Sequence, residues 1–86
     1  MNAEQKENLR HAALEVLASR HPAAWSAIAI SRELKKLLGD TPPDDELKSA
    51  LAFLVDARLL TIVRDELGST TYFAATKDGV LAVERG

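Results

Sequence analysis

The chain has 86 residues, 47% of them apolar and 28% charged, with a formal net charge of −2. That length provides one core rather than two, and the lack of cysteine excludes a disulfide framework, thiolate metal ligands and a cysteine nucleophile. No apolar run approaches the ~20 residues of a membrane span, and the polar, charged start at Met1–Arg10 is unlike a leader, so a single cytoplasmic domain over residues 1–86, without a membrane, is expected.

Leu9, Ala12, Ala13, Val16 and Leu17 recur at i, i+3, i+4, i+7 and i+8, which places an amphipathic helix at about residues 3–20. His21-Pro22 ends it, because a residue before proline avoids the α region; its first few residues are expected to fray. Ala27, Ile30, Leu34, Leu37 and Leu38 form a second helical stripe, with Gly39 as the stop. The start of this helix is open between 27 and 31. Ser26 and Ser31 both suit an N-cap, and Trp25, Ile28 and Ile30 also suit a short strand before it.

Asp40-Thr41-Pro42-Pro43 breaks the chain. Asp44, Asp45 and Glu46 then load a helix start with carboxylates, where they complement the macrodipole. Leu47, Ala50, Leu51, Leu54 and Val55 repeat the helical stripe and predict a helix over about 44–57. Leu60-Thr61-Ile62-Val63 and Thr70-Thr71-Tyr72-Phe73 have the β-branched and aromatic character of strands, joined by a turn at Glu66-Leu67-Gly68-Ser69. Thr76 caps a last helix at about 77–85. The order helix, helix, helix, hairpin, helix gives a fold that is mainly α with a small two- or three-stranded β wing (α+β), a winged helix-turn-helix.

Two stretches carry a family resemblance. Leu47-Lys48-Ser49-Ala50-Leu51-Ala52-Phe53-Leu54-Val55-Asp56-Ala57-Arg58-Leu59-Leu60 resembles the recognition helix and first wing strand of winged-helix regulators. Tyr72-Phe73-Ala74-Ala75-Thr76-Lys77-Asp78-Gly79 is similar to the second wing strand and Thr-x-x-Gly helix start of PadR-like and MarR-like proteins, and the likeness runs from about residue 9 to 85. It implies a transcriptional regulator that binds double-stranded DNA, with the 44–57 helix in the major groove and the wing along the backbone. Arg32, Lys35, Lys36, Lys48 and Arg64 would touch phosphates while Lys48 and Ser49 approach bases. It also implies a homodimer through the first and last helices, lined by Ala3, Val80 and Val83. Arg58 departs from the glycine that such folds often carry before the strand, so the junction is either strained or built differently.

The charges point elsewhere. With the apolar stripe inward, the 44–57 helix presents Asp45, Glu46, Lys48, Ser49, Ala52, Phe53 and Asp56. Residues 44–58 hold two positive charges (Lys48, Arg58) against four negative (Asp44, Asp45, Glu46, Asp56), although phosphate neutralisation supplies most duplex affinity. Arg64 is the one cation of the wing, beside Asp65 and Glu66, with apolar Leu67 near the tip. Arg32, Lys35 and Lys36, the densest basic cluster, also suit a plain solvated helix face. The alternative is a protein–protein interaction module that does not bind DNA, using Trp25, Phe53, Leu67 and the acidic turn at 44–46. Trp25 equally suits a lid on the small core, and Phe53 a place under the wing.

Catalysis is not expected. His11 and His21 stand apart from any metal or triad pattern, and no glycine loop suits a phosphate. Asp40, Asp44, Asp45 and Glu46 lack the alternating spacing of a calcium loop, so neither a metal nor a cofactor is implied.

Overall fold

In the computed structural model, which describes residues 2–86, seven elements follow in order: α1 (Ala3–Ser19), β1 (Trp25–Ser26), α2 (Ala27–Leu38), α3 (Asp44–Asp56), β2 (Leu60–Arg64), β3 (Thr71–Ala75) and α4 (Lys77–Arg85). The start of α1 is capped. Asn2 Oδ1 accepts from the Gln5 amide at 2.8 Å and Gln5 Oε1 from the Asn2 amide at 3.0 Å, a reciprocal capping box. That asparagine and glutamine pair was readable three residues apart, at the end where fraying was expected.

The open start of α2 resolves to Ala27. Ser26 Oγ caps it by accepting from the Ala29 amide at 3.3 Å. Only Trp25 and Ser26 are extended; Ile28 and Ile30 lie in the helix. Ile30 and Leu34 are fully buried, whereas Leu37 and Leu38 are exposed. The stripe thus continues past the point where α2 has anything to pack on, and Gly39, at φ +86°, ends the helix in the left-handed region.

The sheet is antiparallel, in the order β1-β3-β2, with Trp25 opposite Phe73 and Leu60 opposite Ala75. The hairpin loop spans residues 65–70, longer than the expected four-residue turn, because pairing stops at Arg64 opposite Thr71. Asp65 Oδ1 accepts from the Leu67 amide at 3.1 Å and shapes this loop. Beneath the sheet, Leu9, Ala13, Leu17, Ile30, Leu34, Leu47, Leu51 and Leu54 meet with Leu60 and Ala75 in one apolar core. Each fully buried Leu or Ile stabilises the fold by roughly 1.5–3 kcal/mol before entropy is counted.

The base of the wing is locked by backbone. The Arg58 amide donates to Val55 O and the Leu59 amide to Leu54 O, both at 2.9 Å, a Schellman closure of α3. Arg58 takes the left-handed position at φ +63° that glycine usually fills, a conformation that costs a non-glycine residue roughly 1–2 kcal/mol. Thr76 then ties α4 to this corner: its amide donates to Leu59 O at 3.0 Å, and its hydroxyl reaches Arg58 O at 2.8 Å and Leu59 O at 3.1 Å. The same hydroxyl accepts from the Gly79 amide at 3.1 Å, capping α4. Gly79 is buried here; a β-carbon on it would collide with the Leu59 carbonyl oxygen and meet Leu14 Cδ1 at 3.2 Å. The direction of the wing relative to α3 is therefore set by backbone contacts at one corner.

Candidate nucleic-acid interface

α3 buries Leu47, Ala50, Leu51 and Leu54, so helical geometry turns Asp45, Ser49, Ala52 and Asp56 outward, and all four are exposed. Beside this row, Lys48 faces α2. There Ile28, Ser31, Arg32 and Lys35 border a depression shared with Lys48 and Asp44. On the wing side, the start of α2, α3 and the hairpin enclose an open groove of ≈ 550 Å³. Its walls are largely apolar, with Ile28, Ala52, Val55, Ile62 and Phe73 among them, and Lys48, Asp56, Thr70 and Thr71 add polar groups to the lining. Three elements thus converge on one face: the N-terminal half of α2, the outer side of α3, and the wing.

The expected basic cluster is divided. Lys36 Nζ lies 3.5 Å from Glu33 Oε1, and Glu33 Oε2 lies 3.1 Å from Arg20, so Lys36 belongs to the α1 side of α2. Arg32, Lys35, Lys48 and Arg64 form no ion pair within 4.0 Å among the described residues. Arg64 stands at the end of β2, at the foot of the exposed loop that carries Asp65 and Glu66.

The aromatic and apolar candidates go to different places. Trp25 packs against the core edge, with the Arg20 guanidinium 5.0 Å above its ring. Phe53 is not under the wing: it is 50% exposed on the opposite flank of α3, with the Arg10 guanidinium stacked 4.1 Å from its ring centroid. Leu67, at the loop tip, is 99% exposed. Val80 and Val83 are partly buried against the protein's own core, which leaves Leu81 as the exposed large apolar residue of α4. His21 Nδ1 lies 3.0 Å from Ala75 O, a link between the α1–β1 connection and β3, and His11 is exposed on α1. No helix among the described residues is long and apolar enough to cross a membrane.

No protein-family model and no curated protein matches the chain. Solved structures do. RosR of H. salinarum is 27% identical, with a TM-score of 0.76 over 99% of this chain and 69% of that one. A PadR-like transcription factor from Bacteroides fragilis is 21% identical, with a TM-score of 0.77 over 95% of this chain and 79% of that one. PadR of Bacillus subtilis, solved in complex with operator DNA, is 18% identical, with a TM-score of 0.69 over 90% of this chain and 45% of that one. The Bacteroides fragilis protein is described as a transcription factor. The three helices, the wing and the closing helix of this chain form a winged-helix fold, similar to that of RosR and of the PadR-like transcription factor.

Proposed function

We propose that this chain is a DNA-binding transcriptional regulator, not an enzyme, that acts in the cytoplasm and places α3 in the major groove of duplex DNA. The observation that carries this is the convergence of α2, α3 and the wing on one face, with Arg32, Lys35 and Lys48 along one side of α3 and in no ion pair among the described residues. On that geometry Arg32, Lys35 and Arg64 touch phosphates, and Lys48 and Ser49 approach base edges. The operator-bound state of the structurally similar Bacillus subtilis PadR supports the choice of partner. A homodimer through α1 and α4 belongs to the same reading and would add two modest basic faces across a two-fold axis. Of the residues expected at that contact, Ala3 is exposed, while Val80 and Val83 serve the core.

The three phosphate contacts, Arg32, Lys35 and Arg64, predict a log–log salt slope of about −3 per chain. Fluorescence anisotropy of a labelled random-sequence duplex, titrated with protein at low and then at physiological salt, checks this. Salt-sensitive binding of that slope is expected; no binding at tens of micromolar in low salt would defeat the proposal.

A second reading has its own observation. The groove between α2, α3 and the wing is apolar, Leu67 is bare, and the outermost row of α3 includes Asp45 and Asp56. A protein partner seated there would bind with little dependence on salt and would weaken on Leu67→Ala.

A further inference from the structure

An exposed phenylalanine on a solvent-facing flank needs a reason, and Phe53 has one that packing does not supply. Its ring supports the Arg10 guanidinium, with the charge 4.1 Å from the centroid, and Arg10 makes no ion pair among the described residues. Stacking occupies only the flat face of a guanidinium. Its in-plane N–H donors stay free, and they match a phosphate in bidentate fashion. The side chain is also held in place by the ring, so binding costs it less rotamer entropy than a free arginine would lose.

Position supplies the ligand. Arg10 and Lys6 line one depression with Asp45, Glu46 and Ser49 of α3, on the flank opposite Arg32 and Lys35. A helix with its side chains is about 10–12 Å across, and the major groove of B-DNA is about 12 Å wide with a phosphate chain on each wall. Cations on both flanks of an inserted α3 therefore face both walls. Asp45 points outward with Ser49, toward base edges rather than phosphates, while Glu46 shares the Arg10 flank, where Lys6 in the same depression offsets its charge.

We infer that Arg10, positioned by Phe53, is a second-wall phosphate contact, so that α3 is clamped to both strands of the duplex. This rests on the DNA reading above and adds to it a contact from α1. In this role Phe53 is a positioning residue that acts through Arg10.

The test is a double-mutant cycle, read by anisotropy with a random-sequence duplex at several salt concentrations and with circular dichroism to confirm folding. Arg10→Ala is expected to weaken binding about tenfold and to make the salt slope shallower by about one. Phe53→Leu is expected to weaken it about threefold, and by nothing further once Arg10 is alanine. Arg10→Lys, which keeps the charge without the planar fork, should fall between. If the wild-type chain binds duplex and all these variants bind equally well, the second-wall contact is wrong while the DNA reading stands. If Phe53→Leu costs the same with and without Arg10, the positioning role is wrong. If the wild-type chain does not bind duplex at all, both fall together.

Discussion

Gly79→Ala is expected to destabilise the fold by about 3 kcal/mol, at the upper end of the cost of overpacking a tight site. In a domain of this size that lowers Tm by roughly 12–24 °C. The sign makes this a sharp test. Alanine is ordinarily better than glycine inside a helix by about 1 kcal/mol, and Gly79 lies in the first turn of α4. Here the added methyl meets the Leu59 carbonyl oxygen, which already accepts from the amide and hydroxyl of Thr76, with Leu14 Cδ1 behind it at 3.2 Å. The corner can admit the methyl only if α4 moves off the α3–β2 junction, so the wing would lose its fixed direction as well. Thermal unfolding followed by circular dichroism measures it. An unchanged or raised Tm would mean that the corner is open and the wing is not held there.

The second large effect is electrostatic. Arg32→Glu combined with Lys35→Glu is expected to reduce duplex affinity by at least about 100-fold, since two charge-assisted contacts of roughly 1.5–3 kcal/mol each are lost. The salt slope should become shallower by about two. Lys36→Gln, three residues from Glu33 and tied to it, is expected to change affinity by less than about threefold. Anisotropy of the two variants side by side decides the matter. Equal losses would mean that the basic cluster acts as an undivided field; no loss from the double variant would remove the α2 edge from the interface.

Much of the fold was legible because three of the four helices have complete local signatures. α4 begins and ends where the Thr76 cap and its stripe put it, and α1 and α3 start where expected and end one residue early, at Ser19 and Asp56. What was not legible depended on distant partners. Trp25 and Ser26 are extended because Phe73 and Tyr72 pair with them from the far end of the chain, and nothing local distinguishes that from the first turn of α2. Leu37 and Leu38 continue an apolar period beyond the last residue that α1 and α3 can cover; a period reports a face, not where its neighbour ends. Arg58 was readable as an anomaly with two alternatives, a strained junction or a differently built one, and its positive φ is the first of them.

At the site, the cations Arg32, Lys35 and Lys48 were visible as charges, but which of them share a face was not. The Glu33–Lys36 spacing did carry a signal that Lys36 would be engaged elsewhere. Phe53 was visible as an unexplained aromatic residue. Its partner Arg10 could not be, because no sequence pattern says which turn of α1 crosses the outer flank of α3.

The most direct measurement is amide NMR of the chain titrated with a short duplex. If α2, α3 and the wing form one duplex-binding face, shift changes should concentrate at residues 26–35, 45–56 and 64–71, with Arg10 as the contribution of α1. Amides of α4 and of the C-terminal half of α1 should stay put. Changes centred on α4, or none at all at low salt and high micromolar duplex, would contradict that face as the site of DNA recognition.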